Sequence, residues 1–201
     1  AIQGTSALGD AAMFLTAGTE IDGSDFSAAG GITVSATDLA ASSFISETGA
    51  ISVGTETDPI VNIIDSTIWA KAGAVTIAAV TEELDGSTIS AATDLTVNAN
   101  WIVGSSLIAE DGLLDVTATT IDGSELLSKN GGIELDVNAL NDSSLAAWTY
   151  IKAVGAAAAL STITASSMTA ATGDVTVDDF RTVNALTVNA GGLATVGGIG
   201  L

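Results

Sequence analysis

The densest meeting of opposite charges in the chain is Asp174, Asp178, Asp179 and Arg181. Carboxylates grouped beside a cation are what polysaccharide-cleaving chemistry uses, and a glycosidase needs two of them at matched spacing across a cleft. Most other acids are placed differently. Asp22, Asp65, Asp85, Asp122 and Asp142 precede or replace a glycine at one recurring corner, where an Asp can hold a turn through local backbone hydrogen bonds. Corner and solubility roles are therefore expected for the carboxylates, and no enzyme activity. A solenoid calcium site uses Gly-Gly-x-Gly-x-Asp; the nearest approach, Gly131-Gly132-Ile133-Glu134-Leu135-Asp136, lacks the third glycine and does not recur. No cofactor is expected beyond weak, diffuse binding of divalent cations by the acidic surface. Ice binding needs Thr-x-Thr ladders in register, and Thr55/Thr57, Thr117/Thr119 and Thr162/Thr164 stand at unequal distances from the repeats described below.

Composition removes other chemistries. The 201 residues hold 24 acids, 4 bases and neither His nor Cys, giving a net charge of −20. Cys/His zinc sites, thiol catalysis and a Ser-His-Asp triad are excluded. Four bases cannot neutralise a phosphate backbone, so nucleic acid is no partner, and Lys71, Lys129, Lys152 and Arg181 are too scattered to form an anion site. The charge-free runs 153–173 and 182–201 carry seven Ser/Thr and five Gly respectively, so no membrane span is expected. With 47% apolar residues the chain can bury a sizeable core. The start at Ala1-Ile2-Gln3, without Met, suggests a processed chain; the expectation is bacterial-type export to the cell surface or beyond, with a signal peptide already removed.

These residues are carried by a repeat. Anchors at residues 8, 26, 44, 68, 89, 107, 126, 145, 168 and 186 follow phrases such as Gly86-Ser87-Thr88-Ile89 and Asp142-Ser143-Ser144-Leu145, at intervals of 18 to 24 residues. Each is followed by a second strand-like phrase with period-two alternation, as in Gly30-Gly31-Ile32-Thr33-Val34 and Gly73-Ala74-Val75-Thr76-Ile77. Short strands, fixed phrase order and Gly/Asn/Asp corners predict one all-β domain over residues 1–201. The fold expected is a parallel β-helix (β-solenoid) of about nine coils of ~20 residues, right-handed by the usual chirality of parallel connections. Longer loops are expected near 55–59, 81–85 and 150–160. The serines before the anchors, Ser124 for example, read as outward or corner positions. Trp69 follows the inward anchor Ile68 and should point outward; Trp69, Trp101, Trp148 and Tyr150 are candidate exposed contacts to a glycan or protein.

The phrases Ala91-Ala92-Thr93-Asp94-Leu95-Thr96-Val97-Asn98-Ala99 and Gly131-Gly132-Ile133-Glu134-Leu135-Asp136-Val137-Asn138-Ala139 resemble filamentous-haemagglutinin-type repeats. That resemblance implies a β-helical shaft like those of large exported bacterial adhesins.

The function expected is that of a structural subunit of an extracellular fibre, sheath or surface layer, whose main partner is itself. The alternatives are an adhesin shaft fragment that contacts a cell-surface glycan or protein, and a polysaccharide-acting β-helix enzyme. Neither end of the repeat carries a blocking charge or Pro. Met13, Phe14 and Leu15 at one end, and Leu193, Val196, Ile199 and Leu201 at the other, are the candidate head-to-tail interface.

Overall fold

The computed structural model describes residues 1–156 and 161–198. Its strands stack into a parallel β-solenoid. Ten of them form one sheet, face 1: Ser6–Gly9, Asp25–Ala28, Ser43–Ser46, Thr67–Ala70, Thr88–Ala91, Ser106–Ala109, Glu125–Ser128, Ser144–Ala147, Ser167–Ala170 and Thr187–Ala190. They define rungs 1 to 10, one more than the nine expected. After face 1 each rung continues along face 2 (Ile32–Ser35 in rung 2) and face 3 (Asp38–Ala40), which belong to a second, 16-stranded sheet. In rungs 4 to 7 these two faces run on as single strands: Val75–Asp85, Leu95–Val103, Leu114–Asp122 and Ile133–Asn141.

Alternation decides the inside. Aliphatic residues in register make continuous buried columns, such as Ile68, Ile89, Leu107, Leu126 and Leu145 on face 1. Phe26 and Phe44 stack within the same column with ring centroids 5.4 Å apart. Two anchors need correction. Leu8 is 87% exposed, and Ala7 takes the column position opposite Phe26. At the other end Val188, not Leu186, pairs with Met168. The sequence misleads there because leucine is the more hydrophobic neighbour, whereas the pleat fixes which one faces inward.

The corner between face 3 and the next rung's face 1 holds a left-handed residue in every turn. It is glycine in five cases, Asp65 or Asp142 in two, and Ala41, Ala165 or Ala185 in three, with φ between 45° and 57°. The next residue is a buried serine from Ser24 to Ser166. These are corner positions, but they point inward rather than outward: Ser24, Ser42, Ser66, Ser87, Ser105, Ser124, Ser143 and Ser166 form an internal ladder. Each Oγ accepts the backbone N–H of the equivalent residue one rung earlier at 3.0–3.3 Å, beginning with that of Thr5. Each hydroxyl donates to the carbonyl two residues back at 2.6–3.0 Å. Leu186 occupies the next step, and the ladder ends there. The corner's bonds thus come from serine hydroxyls rather than from the Asp carboxylates expected to hold it.

Ser46 and Ser128 serve the second corner, standing where rung 1 has Gly9 and the remaining rungs have alanine. Ser128 Oγ accepts Gly131 N–H at 3.1 Å and donates to Gly112 O at 2.9 Å. Backbones approach so closely at this corner that a Cβ on Gly73 would lie 2.5 Å from Gly49 O. Residues 54–59 form the expected excursion, closed by mutual Thr55 and Asp58 backbone bonds. Residues 81–85 are not a loop: they end the strand Val75–Asp85, whose extra length is absorbed by register shifts against both neighbours. Ile151–Gly155 is also strand, and residues 157–160 of that expected loop lie outside the described residues.

Candidate functional site

The group Asp174, Asp178, Asp179 and Arg181 is strung out along the chain: Asp178 and Asp179 lie in the strand Val175–Phe180, Asp174 just before it and Arg181 just after it. Asp174 Oδ1 accepts the N–H of Leu193 at 2.7 Å, just as Asp94 Oδ1 accepts that of Leu113 at 2.8 Å, so both tie one rung to the next. Asp178 lies four residues on, ~13 Å along an extended chain, and accepts the N–H of Asp179 at 2.9 Å. Asp179 occupies a left-handed bulge with φ 58°. The carboxylates of Asp174 and Asp178 are thus committed to backbone N–H groups rather than to each other.

The fold assembles a different group. Asp115, Glu134 and Lys152 are successive register partners on the outer side of face 2, in rungs 6 to 8. Asp136 and Val154 occupy the adjacent outward column, and together they line a shallow depression of about 210 Å³. Tyr150 reaches in from the preceding corner and donates its hydroxyl to Glu134 Oε1 at 2.9 Å. Burial raises the Asp115 pKa, and the neighbouring Glu134 charge adds to the effect. Burial likewise raises Tyr150, which the hydrogen bond to Glu134 and the negative charges of Glu134 and Asp115 reinforce. The group offers hydrogen-bond acceptors beside one ammonium. Among the described residues no three His, Cys, Asp or Glu are placed to hold one metal ion. Sequence reading missed this group although a signal existed: 115, 134 and 152 are 19 and 18 residues apart, which is the repeat itself.

A raised carboxylate pKa has a defined consequence. The folded chain binds a proton at Asp115 more readily than the unfolded chain, so the stability it contributes is highest at low pH. It is lost as pH rises from the ordinary value of 3.8 through the raised one. Asp115→Asn should therefore raise the melting temperature at pH 7 and leave it nearly unchanged at pH 3. Equal melting points at pH 7 would show that Asp115 carries no such strain.

The aromatic candidates are separated. Trp69 points outward from face 1 as expected, 42% exposed, and the Lys71 ammonium lies 5.0 Å from its ring centre. Lys71 also pairs with Glu47 at 2.6 Å, and Lys129 with Glu110 at 2.6 Å on the same edge. Trp101 is exposed on face 3 and Trp148 at the end of face 1. Tyr150 is only half-exposed and bound to Glu134. The four do not form one platform.

Among the described residues the first and last rungs have a neighbour on one side. Met13 and Leu15 point inward and are half-buried, whereas Phe14 points outward on face 2 and is exposed. Leu193 is exposed at the last corner. Val196 is 48% exposed, although its register partner Val177, one rung in, is fully buried. Ile199 and Leu201 lie outside the described residues. Comparison with known proteins returns no match to any family model, curated protein or solved structure.

Proposed function

We propose that this chain is a structural subunit of an extracellular fibre, sheath or surface layer, stacking end to end with copies of itself. The observation that carries the reading is the state of the two terminal rungs. Among the described residues, the strands Ser6–Gly9 and Met13–Thr16 at one end, and Thr187–Ala190 and Ala194–Gly198 at the other, each pair on one side only. Inward positions that are sealed in every central rung stand half-open there, Met13 and Leu15 on one end and Val196 on the other. An unpaired strand edge over open apolar positions favours continuation by another strand. A second copy offers the complementary edge with the same corner geometry.

Charge favours one end for close approach. Residues 1–152 hold 21 acids and 3 bases, and residues 153–201 hold 3 acids and 1 base. Added salt or divalent cations should strengthen assembly by screening the acidic rungs. Polymers that dissolve in moderate salt at neutral pH would contradict this.

The direct test is negative-stain imaging of the purified chain. Ten rungs at ~4.8 Å give an expected axial repeat of ~48 Å, with strands running across the fibre. Deleting Gly192–Leu201 should leave folded material that no longer polymerises. A chain that stays monomeric at high concentration overturns the proposal.

A further inference from the structure

The acids are not shared evenly among the faces. Of the 24 acids in the chain, only Asp25 and Glu125 lie on the ten strands of face 1. Its outer side has two columns. One, running from Ser6 to Thr187, bears a hydroxyl in all the rungs except the two that hold Asp25 and Glu125. The other holds Leu8, Ile45, Trp69, Ile108, Leu127 and Ala146, with polar residues in rungs 2, 5, 9 and 10. The result is a nearly uncharged, partly apolar sheet on a molecule of net charge −20.

We propose that two copies pair laterally through face 1, antiparallel, about a two-fold axis that lies along the strand direction between rungs 5 and 6. This contact is independent of end-to-end stacking and would turn single filaments into paired ones. Charge, area and register all favour a second copy as the occupant. Face 1 is where two strongly acidic molecules can meet with few like charges opposed. Ten strands at ~4.8 Å by four residues at ~3.3 Å span about 600 Å² per partner. Two such faces together clear the ~1,000 Å² that a specific interface needs.

Register fixes the orientation. That axis places rung k of one copy against rung 11 − k of the other and keeps each column opposite its own kind. Trp69 then meets Leu127, Ile45 meets Ala146 and Ser27 meets Thr169, while the remaining pairs, Leu8 with Asn189 and Ser90 with Ile108, set an aliphatic side chain against a polar one. Asp25 faces Ser167 and Glu125 faces Thr67, so no acid opposes an acid. A parallel pairing would set Asp25 and Glu125 level with their own copies and cross the apolar column with the hydroxyl one.

The chain has no cysteine, so introduced thiols report without interference. In the variant carrying both Ile45→Cys and Ala146→Cys, a short bismaleimide should give a covalent dimer, and neither single variant should. Rungs 3 and 8 lie ~24 Å apart both within one chain and between end-stacked copies, so this cross-link reads lateral pairing alone. By sedimentation equilibrium, Leu127→Asp should weaken the pair at least tenfold, whereas Thr76→Asp on face 2 should leave it unchanged. The deletion of Gly192–Leu201, which leaves face 1 whole, should still pair even though it no longer polymerises. Absence of the double-variant cross-link, cross-linking by Ile45→Cys alone, or a Leu127→Asp chain that pairs as tightly as its parent would overturn the proposal.

Discussion

Leu126→Asp is expected to abolish folding. Leu126 is fully buried and stands in register between Leu107 and Leu145, with no polar side chain in that column. An ionised carboxylate there has no partner, and even its protonated form leaves hydroxyl and carbonyl groups unbonded. Desolvation of an unpaired buried charge costs several kcal/mol or more. The whole fold of an ordinary domain is stable by about 5–15 kcal/mol. Because each rung pairs with the rungs on either side, disrupting rung 7 also removes partners for rungs 6 and 8. Far-UV circular dichroism and limited proteolysis check the outcome, with Leu127→Asp on the next, outward residue as the control that should remain folded. A cooperative β-sheet melt from Leu126→Asp would sink the assigned register.

Ser124→Asp should be nearly as damaging, although it exchanges one polar residue for another. Ser124 is 3% exposed, and its hydroxyl oxygen accepts the N–H of Ser105 while donating to Asp122 O. A carboxylate at this step is larger, loses the donor and carries charge into the interior. Ser124→Ala isolates the hydrogen-bond contribution: it strands the buried N–H of Ser105 and should cost about 1–3 kcal/mol. Thermal melts of both variants, with Glu125→Gln on the exposed neighbour as a neutral comparison, measure this directly. If Ser124→Asp melts within a degree or two of the parent, the ladder contributes nothing and the corner is more plastic than its geometry shows.

The difference between these two residues shows what was legible beforehand. Leu126 could be placed inside from its sequence surroundings because strand alternation and a repeat interval of 18 to 24 residues both point there. Ser124 could not, because its inward position depends on a backbone N–H supplied by Ser105 in another rung. Hydropathy scores a serine by its own polarity, whereas burial depends on whether a partner waits for the hydroxyl. Leu8 and Leu186 failed for a related reason. At the terminal rungs the stronger hydrophobe lies one or two residues from the inward position, and register with the adjacent rung overrides it.

The candidate sites divide in the same way. The exposure of Trp69 followed from its position after the inward anchor Ile68, but the separation of Trp69, Trp101 and Trp148 onto different parts of the surface did not follow from the sequence. Closeness in the chain suggested grouping Asp174, Asp178 and Asp179. In an extended strand, however, sequence neighbours move apart along the rung, while residues one repeat apart become adjacent. Asp115, Glu134 and Lys152 meet for that reason.

By itself the sequence determined that the chain is a parallel β-solenoid with aliphatic columns inside, because a two-residue period within strands and a recurring interval between them leave few other ways to bury 47% apolar residues. Only the tertiary structure decided that there are ten rungs, that a serine ladder lines one corner, and that face 1 is left almost free of the charge the other surfaces carry. Those features arise from contacts between rungs, where hydrogen bonding and register act across gaps of about 20 residues that no local pattern spans.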